Sequence, residues 1–172
     1  MNQPLSRAGV APIDPQAFAA ALSEHLLQGG TLGDLHGFSE QDYEAMYTVG
    51  HGMYSQQHYD DALKVFRLLV ACDPLDRRFH QAVASALQMT GQFELAIGSY
   101  SMASIMDISD PVPTFHTAEC LAALGRVADA REALAIVIEQ SSDPANGPLR
   151  VRAEGLLTLL SRATDPSATA PR

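Results

Sequence analysis

His116, Glu119 and Cys120 stand together in the segment HTAEC. On a helix the histidine and the glutamate share a face at i,i+3 spacing. All three side-chain types can ligate a metal or move a proton. A metal site would need a further ligand of matching orientation, and the spacing specifies none. Cys72, the only other cysteine, lies in its own apolar run, and neither cysteine belongs to a CxxC pair. Both read as buried, reduced thiols. Met102 and Met106, at i,i+4, read as core packing rather than a cofactor contact. The chain has no GxSxG, no GxxxxGK and no HExxH, so it lacks the spacings that build a nucleophile elbow, a phosphate cradle or a zinc site. His116 and Glu119 read as a structural hydrogen bond, and the sequence argues against an enzyme, a cofactor and a metal.

The elements that would carry these residues follow from composition and register. The chain has 172 residues, 47% hydrophobic and 18% charged, with 26 Ala, 20 Leu, no Trp and a single lysine, Lys64. That mix favours close-packed helices. Lys and Arg number 11 against 20 Asp and Glu, a formal charge of −9. An anionic partner such as nucleic acid or a membrane surface is therefore disfavoured. No apolar run approaches the roughly 18 residues of a membrane span. MNQPLSRAG has no basic segment leading into an apolar one, so no secretory signal is expected there.

Internal repetition is the strongest signal. Gln57, Gly91 and Gly125 are spaced by 34 residues, and so are Tyr59, Phe93 and Val127. Ala62, Ala96 and Ala130 keep that register, as do Phe66, Tyr100 and Leu134, and the small residues Gly50, Ala84 and Ala118. This pitch resembles the tetratricopeptide repeat, an antiparallel helix pair per unit. The small residues let the paired backbones approach, and the aromatics fill the space between pairs. The Gly between helices suits a left-handed cap, a pattern from which Gln57 departs. Asp73-Pro74, Asp110-Pro111 and Asp143-Pro144 punctuate the units.

The expected fold is an all-α tetratricopeptide-repeat solenoid. A leader covers 1–13, and an N-terminal helix with its connection covers 14–37. That helix is capped by Asp14, begun by Pro15 and stopped by Gly29-Gly30. Ser39 caps the next helix. Three repeats occupy 38–144, at about 43–76, 77–110 and 111–144. A capping helix lies in 145–164, with Leu149, Leu156, Leu157 and Leu160 inward, and a tail rich in Pro, Ala, Ser and Thr covers 165–172. Three repeats need caps to cover their open ends, and the expectation is the 14–28 helix at one end and the 145–164 helix at the other.

The first helix of each unit lines a concave surface in such stacks. Its inward positions are Glu44, Tyr47, His51 and Tyr54, then Arg78, Gln81, Ser85 and Gln88, then Val112, Phe115, Glu119 and Ala122. Tyr47, Tyr54 and Phe115 offer apolar surface, while Arg78, Gln81 and Gln88 can bond an extended backbone. With only Arg78 cationic among them, a clamp for an acidic C-terminus is not specified.

Tyr100 to Cys120, YSMASIMDISDPVPTFHTAEC, is more specific. With Ser99 it resembles the pattern S-Y-S-x-x-x-x-M-D-I-x-x-P-x-x-x-F-H-x-A-E-C of the class II chaperones of bacterial type III secretion systems. Tyr47, Gly50, Tyr54, Tyr59, Asp61-Ala62 and Val65-Phe66 fit that family too, as does GGTL at Gly29 to Leu32. The match runs from about Phe38 to Glu139. The resemblance implies a non-enzymatic, cytoplasmic chaperone that holds an extended segment of a hydrophobic, pore-forming translocator in its groove. It carries Tyr47, Tyr54, Arg78, Gln88 and Phe115 over as groove residues. It implies dimerisation through the face of Phe18, Leu22 and Leu26, and in some relatives assistance to a transcriptional activator. His51 and His80 replace the aromatic residues common in the family. The rival reading is a generic repeat scaffold for a soluble peptide partner.

Overall fold

Helix propensity, caps and the 34-residue register together produce nine α-helices among the described residues, with no strand. The computed structural model describes residues 14–163, without the side chains of Phe18 and Ala163. The expected leader 1–13, the tail 165–172 and the contribution of the Phe18 side chain lie outside that range.

Helix α1 is Pro15–Leu27 and α2 the single turn Leu32–Leu35. Three antiparallel pairs follow: α3 (Glu40–Ser55) with α4 (Tyr59–Cys72), α5 (Arg77–Met89) with α6 (Phe93–Met106), and α7 (Val112–Ala123) with α8 (Val127–Gln140). A 3-10 turn, Pro144–Asn146, leads into α9 (Gly147–Ala163), which packs on α8. Asp14 caps α1 by accepting from the Gln16 amide. Thr31 with Asp34, and Ser39 with Asp42, form capping boxes. Each satisfies orphan amides that the first helical turn leaves open.

The turns inside the three pairs share one geometry. Gln57, Gly91 and Gly125 have φ of 65°, 75° and 74°. In the first turn the Gln57 amide donates to Tyr54 and the His58 amide to Met53. Gly91 and Gln92 repeat this onto Gln88 and Leu87, and Gly125 and Arg126 onto Ala122 and Leu121. These are Schellman caps. Of the two outcomes expected for Gln57, a strained or a differently shaped turn, the structure has the strained one: Gln57 adopts the left-handed conformation of its glycine counterparts.

Packing follows the small residues. Ala62, Ala84, Ala96, Ala118 and Ala130 are fully buried where paired helices meet. At Gly50, an added Cβ would sit 2.5 Å from Cε1 of the buried Phe66 ring. Phe66, Phe79, Leu87 and Tyr100 centre the core of the first two pairs. Phe115, Leu134, Val137 and Ala153 centre a second cluster, and Leu149, Leu156, Leu157 and Leu160 of α9 pack against it. At the other end α2 does the covering. Gly33 lies flat on Tyr43, and a Cβ there would overlap the Tyr43 hydroxyl. α1 leads away through Gly29 and Gly30, leaving Leu26 and Leu27 exposed and Leu22 partly so.

Met102 corrects an expectation. It is 45% exposed on the outer side of α6, because the Ala96, Tyr100 and Ala103 face of that helix takes the inward position. Cys72 and Cys120 are both free and buried, as their apolar runs suggested.

Candidate functional site

Helices α3 and α5, set side by side by the first core cluster, enclose an open pocket of about 190 Å3. Tyr47, His51 and Tyr54 of α3 form one wall, Gln81, Ala82 and Ser85 of α5 the other, and Phe66 of α4 the floor. Helical spacing explains the grouping: residues 44, 47, 51 and 54 recur at i, i+3, i+7 and i+10 on α3, as 78, 81, 85 and 88 do on α5. The aromatic wall is mutually braced. Tyr47 and His51 meet edge to face at 4.7 Å, and Tyr54 meets Tyr59 at 5.1 Å. Burial raises the pKa of the Tyr47 and Tyr54 hydroxyls above the ordinary tyrosine value. Both stay neutral at physiological pH, so the pocket offers apolar ring faces with polar tips.

One end of this groove is closed by charge pairing. The Arg78 guanidinium donates to Asp76 at 2.6 Å and reaches across from α5 to Glu44 of α3, also at 2.6 Å. It lies 5.5 Å from the Tyr47 ring centre. The hydrogen bonds it donates to Asp76 and Glu44 raise its pKa further. Arg78, expected as an open donor for a peptide, is therefore already paired, and Glu44 with it. Gln81 in turn donates to Asp110, which also pairs with Arg77 and caps the amide of Val112.

The other end is a polar network across the second and third repeats and the C-terminal helix. Gln88 donates to Glu119 at 3.2 Å, and the Tyr100 hydroxyl donates to Gln88 at 2.8 Å while lying 3.2 Å from Ser85 Oγ. His116 Nδ1 is 2.8 Å from Glu119, and Arg152 of α9 is 3.4 Å away. Burial pushes the Glu119 carboxyl up, but hydrogen bonds from His116 and Gln88, with the charges of His116 and Arg152, outweigh it and hold the pKa below the ordinary value. Burial pushes the Cys120 thiol up to about 11, so this cysteine is a neutral packing group. Among the described residues no three His, Cys, Asp or Glu side chains are placed to hold a metal.

Phe115 is not open groove surface. It is 2% exposed, packed with Leu134 and Val137, and covered by the Arg152 guanidinium at 4.5 Å. The helix that covers it, α9, lies beyond the last repeat, so the 34-residue register alone gave no sign of it. The floor residue Phe66 and the buried Tyr100 hold packing positions in the 34-residue register, and nothing in their spacing marks them as bordering the groove. Val112 is exposed at the start of α7, and Ala122 partly so near its end. His80 turns away to the Pro74 carbonyl at 2.9 Å.

Stacked helix pairs that enclose an aromatic-walled groove define a tetratricopeptide-type helical-repeat protein. Comparison with known proteins narrows the class. No protein-family profile matches the chain. It is 38% identical over 130 residues to low calcium response locus protein H of Yersinia pestis, covering 76% of this chain and 77% of that protein. The type III secretion translocator chaperone SycD of Yersinia enterocolitica superposes with a TM-score of 0.71 at 35% identity, over 76% of this chain and 98% of SycD. PcrH in complex with the chaperone binding region of PopD gives 0.71 at 32% identity, over 75% of this chain and 98% of PcrH. SycD has also been solved with a peptide of the translocator YopD, with a TM-score of 0.70 at 34% identity, over 74% of this chain and 98% of that one. The chain belongs to the class II translocator chaperones of type III secretion systems.

Proposed function

We propose that this protein holds an extended segment of a hydrophobic translocator in the groove between α3, α5 and α7. The observation that carries the reading is the pocket of Tyr47, His51, Tyr54, Phe66, Gln81, Ala82 and Ser85. The complexes of SycD with a YopD peptide and of PcrH with a PopD region support it over a generic scaffold. Apolar anchors of the segment bury their surface against the ring faces, worth about 25 cal/mol per Å2 less the cost of ordering the chain. The rest of the client stays unfolded and ready for export. Glu44, Arg78, Gln88 and Glu119 form the polar ends of the groove.

The protein acts by binding and not by catalysis, in the cytoplasm, before its client reaches a membrane. No helix among the described residues is long and apolar enough to cross one. It pairs with a second copy through α1, using the Leu22 and Leu26 face together with Phe18. A transcriptional activator is a further partner in this reading. Mass spectrometry of what co-purifies from the native cell tests it. A protein with apolar, membrane-spanning segments is expected, and a soluble peptide-bearing partner alone would return the scaffold reading.

A further inference from the structure

Ser85, Tyr100, Gln88 and Glu119 form a hydrogen-bonded chain whose direction is fixed at one end. Glu119, ionised at neutral pH, can only accept. The group of Gln88 that lies 3.2 Å from it is therefore the amide nitrogen. That turns the Gln88 carbonyl oxygen, which can only accept, to the Tyr100 hydroxyl at 2.8 Å. Tyr100 has one hydroxyl proton and commits it there. It cannot turn to solvent, being 1% exposed and stacked on the His116 ring at 5.3 Å. Ser85 Oγ, 3.2 Å from the Tyr100 oxygen, must then donate. Its proton points inward, and its lone pairs face the pocket that Ser85 lines with Tyr47, His51 and Tyr54.

We infer that the groove selects an occupant presenting an N–H donor at Ser85, because the Glu119 charge orders the chain of hydrogen bonds behind it. The inference rests on the groove reading above and adds the chemistry of one subsite. For an extended peptide the donor is a backbone amide. A residue without one, proline or an N-methylated residue, is rejected at the position opposite Ser85. A backbone carbonyl there would face lone pairs. Tyr100 acts through Ser85 and Gln88 and is a positioning residue.

Overlapping synthetic peptides spanning YopD and PopD are titrated by calorimetry into the full chain, and the tightest binder is remade with each backbone nitrogen methylated in turn. At one position methylation is expected to weaken binding about tenfold, the scale of one hydrogen bond whose partner is left unsatisfied. That penalty disappears in Ser85→Ala, which has no acceptor to leave unpaired. It shrinks in Tyr100→Phe, which keeps the ring but frees the Ser85 proton to rotate. A general packing defect would instead weaken the parent and all methylated peptides alike. Tyr47→Ala separates the two layers, with folding of each variant checked by circular dichroism. If it leaves the parent peptide's affinity unchanged, the groove reading fails. If it weakens the parent while Ser85→Ala relieves no methylation penalty, the groove reading stands and the Ser85 assignment is overturned.

Discussion

The guanidinium of Arg152 lies 4.5 Å from the centre of the Phe115 ring, sealing it beneath the C-terminal helix. Phe115 is thus part of the core that joins α7, α8 and α9, although its place in the repeat matches that of the groove residue Tyr47. Phe115→Ala is expected to destabilise the fold by about 3–5 kcal/mol, the usual range for a buried phenylalanine. Arg152→Ala removes a partly exposed cation–π contact and is expected to cost about 0.5–1 kcal/mol. Urea denaturation of both variants measures the difference. Similar small losses in the two would place Phe115 at the surface.

Gly50 and Phe66 give a second prediction. A methyl group on Gly50 would meet a ring that is itself 1% exposed and cannot step aside. Gly50→Ala gains about 1 kcal/mol of helix propensity. Overpacking, typically about 1–3 kcal/mol and more where a ring is displaced, opposes that gain. A net loss of stability is expected, read as a lower thermal midpoint. The same substitution at Gly52 or Gly98 in helices α3 and α6, where an added Cβ would meet nothing within 4 Å beyond its own stretch of helix, is expected to raise it.

Gln57 should respond in the opposite sense. It holds φ of 65° in a position its repeat partners give to glycine. The left-handed conformation costs a non-glycine residue about 1–2 kcal/mol. Gln57→Gly is therefore expected to stabilise the protein by about 1 kcal/mol, a rise of roughly 2–4 °C in Tm for a chain of this size. A fall in Tm would show that the Gln57 side chain contributes more than its backbone conformation costs.

These cases mark what the sequence reveals and what it hides. The 34-residue register reports every place where two helices of a pair must touch, because close approach tolerates only small residues. It therefore located the Ala62, Ala96 and Ala130 crossings and the aromatic wall of Tyr47 and Tyr54. Register is silent where an element outside the repeat intervenes, as α9 does over Phe115. It is silent also on pairing between positions that face one surface. Arg78 and Gln88 looked like open donors, yet Glu44, Asp76 and Glu119 occupy them. Gln57 shows the reverse case, in which tertiary packing overrides a local preference that the residue type suggested.

Glu119 predicts a pH dependence. Its folded pKa lies below the ordinary value of 4.5. A depressed carboxylate contributes stability above its unfolded pKa, and that contribution is lost as pH falls through the folded value. The stability difference between wild type and Glu119→Gln is therefore expected to be largest near neutral pH and to shrink on acidification below about pH 5. Urea midpoints of both proteins along a pH series read it directly. A difference that grows on acidification would contradict the assigned hydrogen bonds.

The most direct test of the groove is capture of a co-expressed client. The translocator identified from the native cell is expressed with wild-type chaperone, with Tyr47→Ala/Tyr54→Ala, and with Met102→Ala on the outer face of α6. Circular dichroism first establishes that each variant is folded. The groove variant is expected to lose at least tenfold in affinity, as truncation of buried aromatic anchors usually does, while Met102→Ala retains the client. Undiminished capture by the folded groove variant would contradict the assignment of the binding surface to α3 and α5.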